Sequence, residues 1–129
     1  MRRPLLLLTS ILLGSLLFVS AAQNVRAADG TIILIARFYA APGREAEVEA
    51  RFTQLVAFVR KAEPNITYRL YRSQKDQSVF LSYEAYPTQA ARDEHVNVHV
   101  PAFQKQIGPA PEGLFARPQE REFLRALAD

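Results

Sequence analysis

Thr31 to Ala40 (TIILIARFYA) is the segment that most restricts how this chain can fold. β-Branched and aromatic residues dominate it and Pro42-Gly43 closes it, so the segment reads as a strand. Successive strand residues point to opposite faces, which puts Ile33 and Ile35 on one side and Ile32, Leu34, Ala36 and Phe38 on the other. A strand apolar on both sides needs cover on both sides.

The first cover follows directly. In Arg44 to Ala62, the residues Val48, Phe52, Leu55, Val56, Val59 and Ala62 form a single helical stripe. Glu45, Glu47 and Glu49 lie toward the positive end of this helix, and Arg60 and Lys61 lie at its negative end. Glu63-Pro64-Asn65 stops it. Ile66 to Ser73 (ITYRLYRS) and Val79 to Tyr86 (VFLSYEAY) flank the polar turn Gln74 to Ser78, which predicts a β-hairpin. Pro87-Thr88 offers an N-cap for a helix over about Gln89 to Val98. Pro101 interrupts that pattern and predicts two short helices with a break near His99. Gly108 to Gly113 is loop. The tail Gln119 to Leu127 fits either element, with Phe123, Leu124 and Leu127 slightly better placed for a helix.

If the tail is a strand, the order is β-α-β-β-α-β. That is an α+β, ferredoxin-like arrangement with an antiparallel sheet. Its two helices can cover only one face of a four-stranded sheet. The same face of a second copy is the simplest cover for the other, so the sequence predicts a homodimer.

Residues 1–27 read as a secretory signal. Arg2 and Arg3 precede an uncharged apolar run from Leu5 to Val19, and the small residues Ser20-Ala21-Ala22 and Val25-Arg26-Ala27 follow. The run is shorter than the roughly 20 residues that span a bilayer. The expected product is exported, periplasmic or secreted, with no membrane attachment after cleavage between Ala22 and Asp29. Residues 28–129 then form one domain. Removing Arg2, Arg3 and Arg26 from the 16 basic residues leaves 13 against 13 acidic ones, so the basic balance of the precursor belongs to its signal. No basic patch points to nucleic acid. Without cysteine there is neither a disulfide framework nor a lipid-anchored thiol. The glycines build neither a dinucleotide fingerprint nor a phosphate loop, and no Ser-His-Asp or Cys-His nucleophile pattern is present.

Several motifs recur in a recognisable order: Pro42-Gly43-Arg44-Glu45 after the first strand, then Glu63-Pro64-Asn65-Ile66-Thr67-Tyr68 leading into the hairpin. Phe80-Leu81-Ser82-Tyr83-Glu84-Ala85-Tyr86 follows, then His95 and His99-Val100-Pro101-Ala102-Phe103. From Ile33 to about Phe103 the chain resembles the antibiotic biosynthesis monooxygenase family, dimeric α/β barrels that include quinol monooxygenases. The resemblance implies oxygenation of a small aromatic or quinol-type substrate by O₂ without flavin, haem or metal. It also favours a strand for the tail. Tyr86 stands where the family commonly carries tryptophan.

Within that frame His95 and Tyr86 are the candidate catalytic residues; His95 and His99 lie beside the expected pocket mouth, with His95 partly exposed. Histidine titrates near neutral pH and could take a proton from a substrate hydroxyl, easing its oxidation by O₂. The alternative is that His95 packs or caps the helix and His99 bonds backbone at the Pro101 break. His99, Ser82, Phe80 and Phe103 are candidate substrate contacts. Tyr86, Glu84, Ser82 and Phe80 share one face of the third strand. Tyr86 can orient a ring or simply fill space, and Glu84 reads as an anchor for a loop or helix terminus. Tyr68, Tyr71, Arg69 and Arg72 read as sheet surface and dimer contacts. His95 and His99 are spaced for a metal, but no third ligand accompanies them. The expected function is a cofactor-independent monooxygenase. The alternatives are a non-catalytic dimeric barrel that binds a ligand or serves in stress response, and haem degradation.

Overall fold

The computed structural model describes residues 31–125 and 127, so the segment read as a signal lies outside them. Its elements are β1 (Ile32–Tyr39), α1 (Glu45–Ala62), β2 (Thr67–Arg72), β3 (Val79–Tyr86), α2 (Gln89–Glu94), a π-helical segment (His95–His99), α3 (Val100–Ile107) and β4 (Glu120–Leu124). The strands form one antiparallel sheet in the order β2-β3-β1-β4, the ferredoxin-like arrangement. β1 occupies an inner position between β3 and β4, as a strand apolar on both faces must. The tail is a strand: Ile33 pairs with Leu124 and Arg37 with Glu120.

The helices cover one face of this sheet. Ala40, Val48, Phe52, Phe80 and Leu114 form a buried cluster there. The Phe52 ring meets Phe38 at 4.8 Å and Phe80 at 5.8 Å, both edge-on. The register places Ile33, Ile35, Arg37, Leu81, Tyr83 and Tyr71 on the opposite face. There Ile33, Ile35, Leu81 and Tyr83 are only half-buried and Tyr71 is exposed.

The turn from β1 into α1 needs Gly43, whose φ of 79° lies in the left-handed region. Thr88 is the expected cap of α2, its Oγ1 accepting from the Ala91 N–H at 3.1 Å. The expected break near His99 is not found. α2, the π segment and α3 run on without interruption, and the helix absorbs Pro101 by changing its hydrogen-bond spacing. Pro101 has no N–H for the carbonyl of Asn97 four residues earlier. The ladder shifts instead to five-residue spacing, with the Val100 N–H donating to the His95 carbonyl. Pro101 then sits at the start of α3, where a missing N–H is tolerated.

Candidate functional site

Alternation along β3 turns Phe80, Ser82, Glu84 and Tyr86 toward the helices, and all four are buried. Glu84 gathers its neighbours: Ser82 Oγ donates to Oε1 at 2.7 Å and Tyr86 OH donates to Oε2 at 2.5 Å. This corrects the expectation that Glu84 anchors a loop or helix terminus. A buried carboxylate that accepts two hydroxyls is a satisfied acceptor. Burial, then the nearby charge of Glu84 and the hydrogen bond to it, pushes the Tyr86 phenol far above its ordinary value. Burial and Glu84 push the Tyr68 phenol up as well. Both rings therefore remain neutral and neither can serve as a base near pH 7.

Above them the π segment presents His95, which is 5% exposed and thus buried rather than partly exposed. Its ring lies 5.5 Å from both the Tyr68 and the Tyr86 rings. His95 Nδ1 is 2.8 Å from Glu63 Oε2, a carboxylate that is itself 4% exposed. Glu63 lies at the C-terminal end of α1. Such a pair fixes the ring and sets Nδ1 as the protonated nitrogen, leaving Nε2 as the basic one. Nε2 makes no protein hydrogen bond among the described residues. Tyr68 is buried against this ring, so it is part of the site and not sheet surface.

These groups line a cavity of about 280 Å³ between the sheet and the helical run, the size of a one- or two-ring compound. His95, Tyr86, Tyr68 and Glu84 meet Phe103 from α3 on its wall. Among the residues expected to contact substrate, Phe103 is on the wall. Ser82 supports Glu84 without reaching the cavity, and Phe80 belongs to the core cluster on the far side of Phe52. His99 turns away, with Nε2 3.5 Å from Glu94 Oε1. No group of three or more metal-ligating side chains occurs among the described residues. A larger groove of about 510 Å³ runs between α1 and β2, but Arg72 and Glu49 are paired within it and no buried acid or base lines it.

Sequence reasoning passed over Glu63, treating it only as part of the stop signal of α1. One sign was available. An acidic residue at the negative end of a helix is electrostatically misplaced unless something else holds it, and here that partner is His95, 32 residues away.

Comparison with known proteins agrees with this fold. The family model "Antibiotic biosynthesis monooxygenase" matches residues 31–106, more than half of the chain. A curated relative is the uncharacterized protein sll1783 of Synechocystis, 27% identical over 93% of this chain and 82% of its own length. Among solved structures, PA3566 from Pseudomonas aeruginosa is 27% identical, with a TM-score of 0.65, covering 77% of this chain and 96% of its own. A structure from Caulobacter crescentus named for the same family is 29% identical, with a TM-score of 0.63, and covers 77% and 92%. With the β2-β3-β1-β4 sheet, the cavity beneath the helical run and a family match over residues 31–106, the chain belongs to the antibiotic biosynthesis monooxygenase family.

Proposed function

We infer that this protein is a cofactor-independent monooxygenase that acts on a small aromatic or quinol-like compound in the cavity lined by His95. The observation that carries this reading is the buried Glu63–His95 pair, with Nδ1 held by a carboxylate and the ring on the cavity wall. His95 Nε2 accepts a hydroxyl proton from the substrate. Glu63 stabilises the resulting imidazolium, and the substrate anion is the more readily oxidised species. The electron balance then needs no external reductant. A dihydroxybenzene and O₂ give a hydroxyquinone and one water, with one oxygen atom entering the ring and the substrate supplying all four electrons. Tyr86 keeps its proton and positions the His95 ring, because its hydroxyl is committed to Glu84.

The working form in this reading is an exported homodimer joined through the half-buried face that carries Ile33, Ile35 and Leu81. The second reading is a non-catalytic ligand-binding dimer. In its favour, the hydroxyls of Ser82 and Tyr86 both serve Glu84, which leaves the chemistry to the Glu63–His95 pair alone. Oxygen uptake by the mature protein against a panel of quinols, without added cofactor, separates the two. The monooxygenase consumes O₂ with at least one quinol, and His95→Gln abolishes the uptake. Ligand binding with no O₂ consumption across the panel would leave the second reading standing.

A further inference from the structure

We propose that the compound taken by this cavity carries an anionic substituent, a carboxylate or chemically equivalent oxyanion on its aromatic ring. This rests on the reading of the cavity as the substrate site. Three guanidinium groups from three separate elements line the same 280 Å³ space: Arg51 of α1, Arg92 of α2 and Arg121 of β4. Glu84 is the one carboxylate among the described lining residues, and its two oxygens already accept from Ser82 and Tyr86. Three positive charges against one negative is a local excess, in a domain whose 13 basic and 13 acidic residues otherwise balance once the proposed signal is removed.

The protein's own contacts hold these cations in place but leave their charges largely uncompensated. Arg51 donates to the Gly108 carbonyl at 2.7 Å and lies over the Phe103 ring at 5.7 Å, contacts that fix its position without neutralising it. Arg92 lies over the Phe123 ring at 5.1 Å and approaches the half-exposed Asp93 only to 3.8 Å. Its Nε is buried with no hydrogen-bond partner, and a buried donor left unpaired is unfavourable. Arg121, on the exposed strand β4, pairs with Ala36, and its guanidinium donates to the Gln119 amide oxygen, a neutral acceptor that leaves the charge uncompensated. No carboxylate lies within 4.0 Å of Arg51 or Arg121 among the described residues. A guanidinium presents a planar fork of donors matched to a carboxylate, and Phe103 with Tyr68 supplies the apolar wall for a ring. The charge pattern therefore favours a ring with an anionic group directed at the arginines and a hydroxyl directed at His95.

Calorimetric titration with benzoate and with benzamide, its neutral counterpart of similar shape, tests this without any turnover. Benzoate is expected to bind at least about tenfold more tightly. Arg92→Gln and Arg121→Gln should each weaken benzoate roughly 10- to 100-fold while leaving benzamide unchanged. Thermal melts of both variants check that the fold is retained, and raised salt should weaken benzoate alone. Equal affinity for the two ligands, no detectable benzoate binding, or folded variants that keep full benzoate affinity would each overturn the proposal. Turnover distinguishes its failure from that of the oxygenase reading. If benzoate binds as described but no quinol consumes O₂, the oxygenase reading falls and the anion site stands. If hydroquinone and 2,5-dihydroxybenzoate are oxidised with equal kcat/KM, the anion site falls and the oxygenase reading stands.

Discussion

Among single residues the proposed chemistry turns on Glu63 and His95, which bond at 2.8 Å while nearly excluded from water. Glu63→Gln keeps an acceptor for Nδ1 and removes the charge, so the protein should stay folded while kcat falls roughly 10²- to 10⁴-fold in a quinol oxidation assay. Glu63→Ala leaves the buried imidazole unpaired and should also destabilise the fold by about 1–3 kcal/mol in denaturant unfolding. Tyr86→Phe tests the adjoining network: it removes one donor from Glu84, so stability should drop by about 1–3 kcal/mol while KM changes little. The two buried phenols also set an alkaline limit. Their folded pKa values are raised above the ordinary 10.0. Stability is therefore fully present below pH 10 and declines as pH rises beyond it, because the unfolded chain releases protons that the folded one retains. The slope is about 1.4 kcal/mol per pH unit for each tyrosine. Unfolding titrations across that range should show it, and Tyr68→Phe with Tyr86→Phe should remove the share these two rings contribute. His95 and Tyr86 were legible as candidates because residue types with useful chemistry stand out in a sequence. Glu63 and Tyr68 were not, because their roles depend on contacts with residues far along the chain.

At the scale of elements the hydrophobic pattern was informative wherever one face of an element is buried. The α1 stripe holds from Val48 to Val59, with Val48, Phe52 and Val59 buried, while Ala62 at its end is exposed, and the period-two alternation of β3 gives its buried and half-buried residues in turn. The helical run after Thr88 was harder to read. Pro101 signals an interruption in any sequence, but whether the chain breaks or rewinds into a π segment depends on what holds the helix down. Here His95 packs against Tyr68 and Tyr86 of the sheet and Phe103 against Phe58 of α1, contacts that hold the helix down along its length. The rewound segment starts at His95. Thr88→Ala removes the cap bond to Ala91 and should cost about 1 kcal/mol. That corresponds to a fall in Tm of about 4–8 °C for a domain of this size. Leu114→Ala, in a loop whose side chain is fully buried in the core cluster, should cost about 2–5 kcal/mol by chemical denaturation.

For the molecule as a whole, the inner position of β1 was written in its two apolar faces, and the half-exposed state of Ile33 and Ile35 continues the argument for a second copy. Ile35→Lys places a charge in the middle of that face. In light scattering it should convert a dimer of the mature protein to monomers, whereas a monomeric wild type would show the face to be covered in some other way. N-terminal sequencing of the exported product should begin between Gln23 and Asp29. In the proposed reaction the His95 cavity inserts oxygen from O₂ into an aromatic ring using only the electrons of the substrate. Its most direct test is turnover of a quinol under isotopically labelled dioxygen, without added cofactor, followed by mass spectrometry of the product. The wild-type protein should give one labelled oxygen atom per product molecule, and His95→Gln none above background. An unlabelled quinone, or equal labelling from both proteins, would contradict it.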